Sequence, residues 1–358
     1  MKITAIQTRV LRVPTPHPIC LEFPEHKLVT ATIQTDEGPT GFGYSLVFGG
    51  SGAEAVHVYL ETRLKPLLIG ENPLLVERLW DRMYRVDRGI RRQGLAGYAV
   101  AALDIGLWDL VGKVAGLPLY KLWGAVTDRI PAYGSGGWPR YSTEDLIGEA
   151  KRYAAMGCRY YKMKIHHPEP RANRQRVEAV RTALGDGVRM MVDVNQKLDV
   201  AGAIRQAELL QDLDLVWYEE PVLSEDIAAC AEVARAIRIP VATGENNQTR
   251  FEFRELVERR AAQYLMPDVC RANGFSETLK IGHLAGAHQV AITPHVVHEL
   301  SLHVVGALTN GFLVEFIDWT PADLFVDLPR CEDGHFRIPD RPGHGIALAP
   351  GAEAKYGI

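Results

Sequence analysis

Carboxylates, lysines and a histidine recur along this chain at a regular interval, each just after a short apolar run. The runs end in Lys162-Met163-Lys164, Asp193-Val194-Asn195, Glu219-Glu220-Pro221, Gly244-Glu245-Asn246, Pro267-Asp268, Pro294-His295 and Glu315. Successive ionisable residues stand roughly 20 to 30 positions apart, the length of one strand-plus-helix step of a barrel. Asp193, Glu219 and Glu245 offer hard oxygen ligands without cysteine or clustered histidine, a set that suits Mg²⁺. Lys162 and Lys164, two apart on a strand, project to one face. Ammonium groups crowded beside a divalent cation disfavour protonation, so one lysine could serve as a base. His295, if paired with Asp268, becomes a second acid/base group on the opposite side of the pocket. Glu315 could stay protonated and donate a hydrogen bond to a substrate carboxylate. Together these groups suit removal of a proton alpha to a carboxylate.

Such residues need a scaffold that brings strand ends together. From about residue 128, short apolar strands alternate with amphipathic helices: 131–137, 159–165, 189–194, 215–218, 241–243, 264–266, 291–293 and 313–316. Eight β-then-α units predict a (β/α) barrel, whose active site is assembled at the C-terminal strand ends. Ahead of it, 2–13, 27–35 and 40–47 read as antiparallel strands and 53–116 as helical, with a helix over 95–114 that stops at Gly116-Leu117-Pro118. The segment beyond Trp319 is rich in proline and glycine, breaks the rhythm, and is expected to pack back on the N-terminal unit. The expected division is a cap over 1–127, a barrel over 128–319 and a tail over 320–358.

Taken singly, each residue has an ordinary structural reading. A K-x-K pair is usually a solvated strand face, and a lone acid or histidine after a strand is often a helix N-cap. Glu-Glu-Pro could simply begin a surface helix. Those readings weaken because all seven strand ends from the second to the eighth carry a suitable group.

This arrangement resembles the enolase superfamily, specifically its mandelate racemase subgroup, over nearly the whole chain. The stretch Ala101-Ala102-Leu103-Asp104-Ile105-Gly106-Leu107-Trp108-Asp109-Leu110-Val111-Gly112-Lys113 resembles that family's long capping helix. The resemblance implies an α/β fold: a modified TIM barrel with an N-terminal α+β capping domain completed by the C-terminal tail. It implies Mg²⁺ on Asp193, Glu219 and Glu245, Lys164 as base tuned by Lys162, a His295–Asp268 dyad, and Glu315 as an electrophilic acid. It places Asn195 and Glu220 among substrate or supporting contacts. It further implies a symmetric homo-oligomer, up to an octamer.

The leading expectation is an acid-sugar dehydratase: loss of the alpha proton, then of water, from a sugar acid. Its alternative is a racemase or epimerase of a 2-hydroxy acid, and a remote one is a non-catalytic barrel that binds a small carboxylate. Specificity is expected from the loops 14–26 and 48–52, with His17 and His26, and also Lys27, as contacts to distal groups. His166, His167 and Trp138 are candidates for the pocket wall. A barrel metallohydrolase would need H-x-H on the first strand, which Ala132-Tyr133-Gly134-Ser135-Gly136 lacks, and Gly41-Phe42-Gly43 has no phosphate-binding helix after it.

The bulk properties agree with this. Over 358 residues, 40 basic and 44 acidic side chains leave a net charge of −4, so neither nucleic acid nor an anionic membrane is expected as a partner. Five scattered cysteines without a C-x-x-C pair make a disulfide framework or a zinc site unexpected and fit a reducing cytoplasm.

Overall fold

The computed structural model describes residues 1–17, 19–90 and 92–358; Pro18, within the proline-rich loop, and Arg91 lie outside the described residues. The chain opens with an antiparallel sheet, β1 (Ile3–Pro14), β2 (Glu25–Thr35) and β3 (Thr40–Val47), in that order. Most of β1 alternates covered and exposed residues, as a strand with one buried face must. Helices α1 (Ala53–Tyr59), α2 (Lys65–Leu68), α3 (Val76–Arg85) and α4 (Leu95–Ala115) follow, and the short α5 (Leu119–Leu122) leads into the barrel. Helix α4 stops at Gly116, whose φ of 68° is the left-handed cap expected of the Gly-Leu-Pro signal.

α4 is long and apolar enough to cross a membrane, yet 78% of its apolar window is buried inside the molecule. It lies against β3, and glycine permits the approach. A Cβ on Gly41 would stand 2.1 Å from the Gly106 carbonyl oxygen, and one on Gly43 2.2 Å from that of Ala102. The G-x-G of β3 therefore serves helix-on-sheet packing.

The barrel strands are β4 (Arg129–Gly136), β5 (Tyr160–Lys164), β6 (Arg189–Asp193), β7 (Leu215–Glu219), β8 (Val241–Thr243), β9 (Tyr264–Leu265), β10 (Ala291–Ile292) and β11 (Val314–Phe316). They pair in parallel from β4 to β10, β11 pairs back on β4, and a bridge from Ile292 to Gly311 completes the ring. The connections carry α6 (Thr143–Ala155), α7 (Pro170–Leu184), α8 (Val200–Glu208), α9 (Ile227–Ala236), α10 (Arg250–Glu258), α11 (Phe275–Ala287) and α12 (His298–Ala307).

The expected eighth β-then-α unit is incomplete: among the described residues no helix of the ring follows β11. The prolines at 321, 329, 339 and 342 would break one. The tail instead forms β12 (Phe325–Val326), β13 (Cys331–Glu332), β14 (His335–Arg337), β15 (Ala347–Leu348) and α13 (Ala352–Tyr356). It touches both halves of the molecule. β14 pairs antiparallel with β4, while His344 Nε2 lies 2.6 Å from the Phe42 carbonyl and Ile358 N donates to Val10 O at 3.0 Å. A cleft of about 750 Å³, lined among others by Trp319, Phe325 and Leu328, runs along this seam. Cys158 and Cys331 meet as free thiols where the tail crosses the barrel, their sulfurs 3.9 Å apart.

Two acids of α4 tie the cap to its neighbours. Asp104 accepts from Ser276 N at 2.9 Å and Ser276 Oγ at 2.6 Å, at the start of α11. Asp109 accepts from Phe42 N at 2.8 Å and His344 N at 3.1 Å.

Inside the barrel, strand alternation sorts the side chains. Tyr133, Met191, Trp217 and Leu313 belong to one buried apolar cluster. Two positions further along the same strands, and so on the same face, stand Ser135, Asp193, Glu219 and Glu315.

Candidate active site

This polar layer rests on the apolar plug at the C-terminal strand ends. Asp193 closes β6, Glu219 closes β7 and Glu245 lies just past β8; all three are buried, and one oxygen of each lies within 4.8 Å of the others. Glu219 is held from below by Trp217 Nε1 at 2.7 Å and from the side by Lys162. Lys164 Nζ sits 2.6 Å from Asp193 Oδ2, and the second oxygen of Asp193 accepts from Asn195 N at 2.8 Å.

These residues fit a hard divalent cation. Burial lifts the Glu219 carboxyl well above its usual range even with Lys162 beside it. Burial, with the charges of Glu245 and Asp193, brings the adjoining Glu220 up to about 8. So many buried carboxyls are short of positive charge, and their oxygens are ligands that Mg²⁺ accepts. Glu220 itself accepts from Gln196 Nε2 at 2.9 Å and Asn246 Nδ2 at 2.8 Å.

The lysines are only partly as expected. Burial pulls both down, and Lys162 lowers Lys164 further, but carboxylates outweigh these effects and hold both above the ordinary range. For Lys164 the dominant carboxylate is Asp193; for Lys162 it is Glu219, followed by Glu315 at 2.9 Å. Glu315 is drawn toward the ionised form. Burial alone would favour the protonated acid expected there, but Lys162, His295 and Lys164 outweigh it and hold the carboxyl below its usual range. Donors also occupy its oxygens: Ser135 Oγ at 2.6 Å and Val296 N at 3.0 Å.

His295 and Asp268 do meet, with Nδ1 2.8 Å from Asp268 Oδ2. Asp268 is oriented in turn, its Oδ1 accepting from Cys270 N at 2.8 Å and Arg271 N at 3.1 Å. His295 Nε2 is left facing Glu245, 3.4 Å away. Backbone strain gathers at the same strand ends: Asn195, Gln196, Glu220 and Val296 have φ of 45°, 62°, 41° and 38°. For a β-branched valine this is costly, and it persists where packing over-determines the conformation.

A cavity of about 280 Å³ opens above this layer, and Lys164, Asn195, Glu245, Arg271, His295 and Glu315 line it. Lys162, Asp193, Glu219 and Asp268 support these residues from below or behind. His166 and Trp138 also line the cavity, and His166 Nε2 lies 2.9 Å from Asn195 Oδ1. His167 does not; its backbone N donates to Asn173 Oδ1 at 2.9 Å, on α7.

The loop histidines lie away from this cavity. His17 is exposed and outside the lining, because the loop turns it to solvent. His26 is buried against the Trp319 ring at 5.1 Å, its pKa pushed down to about 4 by burial, and it is likewise outside the lining. Lys27 pairs with Glu54. From the same loops Glu22, Phe23 and Phe48 reach the cavity instead. Arg271 was also absent from the expectations. It stands one helical step past Asp268, its Nη1 donating to Glu245 O at 3.1 Å and Asn246 Oδ1 at 3.2 Å. That i, i+3 spacing was the available signal.

Comparison with known proteins agrees with this geometry along the whole chain. Residues 5–124 match the mandelate racemase / muconate lactonizing enzyme N-terminal domain, and residues 145–352 match the enolase C-terminal domain-like family. A 3,6-anhydro-alpha-L-galactonate cycloisomerase of Streptomyces coelicolor is 33% identical over 353 residues, 97% of either chain. An arabinonate dehydratase of Saccharolobus solfataricus is 32% identical over 339 residues, 92% of this chain and 90% of its own. The crystal structure of a racemase from Streptomyces coelicolor A3(2) with bound magnesium is similar with a TM-score of 0.95 at 32% identity, covering 99% of this chain and 100% of that one. With cap, barrel and strand-end acids all accounted for, the chain belongs to the mandelate racemase / muconate lactonizing enzyme family of the enolase superfamily.

Proposed function

We propose that the protein is a Mg²⁺-dependent lyase that removes the proton alpha to the carboxylate of a sugar acid and eliminates water from the next carbon. The observation that carries this reading is a single cavity lined by both Lys164 and His295, with the three-carboxylate cluster at its floor. The dehydratase among the relatives supports a sugar acid as substrate.

Asp193, Glu219 and Glu245 would hold Mg²⁺, which would supply positive charge to offset the negative charge that grows on the substrate carboxylate as the proton leaves. The chain's own groups do the proton work. Asp268 fixes the Nδ1 side of His295, so a neutral imidazole presents Nε2 as an acceptor and an imidazolium presents it as a donor. Lys164 is the other group in reach of the cavity; Asp193 holds its proton, and a cation on Asp193 would offset that charge and free Lys164 to act as a base. As one of the pair takes the alpha proton, the C–H electrons form a C=C bond and the β-carbon–oxygen bond breaks. The leaving hydroxyl takes a proton from the partner group and departs as water, and the enol tautomerises to a 2-keto acid. Lys162, clasped by Glu219 and Glu315, neutralises the floor and keeps its proton.

Inversion of a 2-hydroxy acid is the second reading, favoured by the same pair of groups and by the racemase of similar structure. The division at 127 and 319, a cytoplasmic location and assembly into a symmetric homo-oligomer, up to an octamer, belong to the proposal as well. The test is incubation with Mg²⁺ and a panel of sugar acids and 2-hydroxy acids in D₂O, read by proton NMR and mass. Loss of water with a 2-keto product supports the lyase. Deuterium at an inverted alpha carbon without loss of water replaces it with the racemase.

A further inference from the structure

Two sulfurs that the reaction does not use meet where the tail crosses the barrel. Cys158 stands between α6 and β5 and is 1% exposed, while Cys331 opens β13 and is partly exposed. They lie 173 positions apart in the chain, yet their sulfurs are 3.9 Å apart. The backbone builds this contact. Gly334 N donates to Met156 O at 2.8 Å, and Ala132 N donates to Gly334 O at 2.9 Å. The turns that carry the two cysteines touch directly. A Cβ on Gly334 would stand 2.1 Å from the Gly157 oxygen, and one on Gly157 2.6 Å from the Asp333 carbonyl carbon. With both turns pinned, side-chain rotation is what remains to close the last ~2 Å to bonding distance.

The two thiols are not equivalent. Cys331 lines the cleft of about 750 Å³ along the seam, a volume that admits a small peptide disulfide. A hydrogen bond from the Cys158 thiol holds the Cys331 thiol below its usual range, against the opposing effect of burial. The same contact, with burial, pushes Cys158 up. One sulfur is placed to ionise and meet a reagent, and the other waits behind it.

We propose that Cys331 and Cys158 form a thiol–disulfide exchange site, at which a low-molecular-weight disulfide couples the tail covalently to the barrel. The Cys331 thiolate attacks one sulfur of the reagent, whose S–S bond breaks and releases one thiolate. Cys158 then gives up its proton and attacks Cys331 Sγ, and the mixed disulfide releases the second thiolate. Two protein thiols are oxidised to one disulfide, the reagent is reduced to two thiols, and the two protein protons pass to those thiols. Under reducing conditions the exchange runs backward and the dithiol returns. The crosslink closes a long stretch of chain, which restricts the unfolded form and stabilises the folded one.

The test incubates the protein with oxidised glutathione, blocks the remaining thiols by alkylation, maps every cysteine by peptide mass and records the melting temperature. A peptide linking Cys158 to Cys331 is expected, with loss of both thiols together. The melting temperature should rise by about 5 °C or more, and dithiothreitol should reverse both changes. Cys158→Ser should stop at a glutathione adduct on Cys331, and Cys331→Ser should leave Cys158 unmodified. A wild-type protein that keeps a stable adduct on Cys331 without the crosslink overturns the inference. So does a wild-type protein in which Cys331 stays unreacted, and so does modification of Cys158 when Cys331 is replaced. The wild-type map decides the matter even if neither variant folds.

Discussion

At the floor of the cavity, Asp193, Glu219 and Glu315 leave from parallel strands, two positions beyond a buried apolar neighbour, and Lys164 ends the strand beside them. At the roof, Glu22 and Phe23 come from the connection between β1 and β2 of the cap sheet, and Phe48 from the turn between β3 and α1. The floor is fixed twice, by the backbone ladder and by short ionic contacts such as Lys164 to Asp193 at 2.6 Å. The roof is held by ring-on-ring contacts and by single bonds such as Arg140 N to Glu22 Oε1 at 2.7 Å. Changing the floor should decide whether the reaction occurs, and changing the roof should decide what reacts. Rigid elements position chemistry, and loops choose the cargo.

The largest effect is expected at the floor. Lys164→Ala and His295→Asn should each lower kcat by about 10²- to 10⁴-fold for at least one substrate epimer. Calorimetry should still detect Mg²⁺ binding in both. Full activity in either variant would move the base elsewhere. A middle effect belongs to Arg271, which borders the cavity while bracing Glu245 and Asp268. Arg271→Leu should cost about 10- to 100-fold in Mg²⁺ affinity or kcat/KM, as loss of a group that orients a ligand does. A Mg²⁺ titration of activity separates the two, and no change in either would make Arg271 a mere filler of space.

The smallest effect concerns the joint that carries the roof. Burial raises the Asp104 carboxyl to about 7, so folding favours its protonated form. That contribution is full below the unfolded carboxyl pKa and is lost as pH rises to about 7. Asp104→Asn has no such loss. Its melting temperature relative to wild type should therefore climb between pH 4 and 7, by about 2–4 °C per kcal/mol of difference, and then level off. A difference that stays flat with pH would mean that the start of α11, by donating to the carboxylate, cancels the burial cost.

Sequence periodicity carried the floor and lost the roof for a physical reason. A strand has a repeat of two and a barrel unit a repeat of roughly 20 to 30 residues, so Lys164 through Glu315 could be placed by counting. Loops have no repeat. In 14–26 the polar histidines were the natural candidates, but residue type says nothing of direction, and the loop turns Glu22 and Phe23 inward instead. Protonation was also beyond the sequence. Glu315 is drawn toward its ionised form by Lys162 2.9 Å away, a distance that exists only after β5 and β11 have closed on β4. The missing eighth helix was half visible, since proline marked the break in rhythm without saying that β14 would lie down on β4.

The tail also bears on how the molecule is made. Leu11 of β1 bridges Gly357, and Val10 O receives Ile358 N. Those residues follow every barrel strand in the sequence, so the β1 edge of the cap sheet stays bare until the tail has docked on it. An unpaired strand edge invites pairing with another chain, so docking of the tail closes the cap sheet against that pairing.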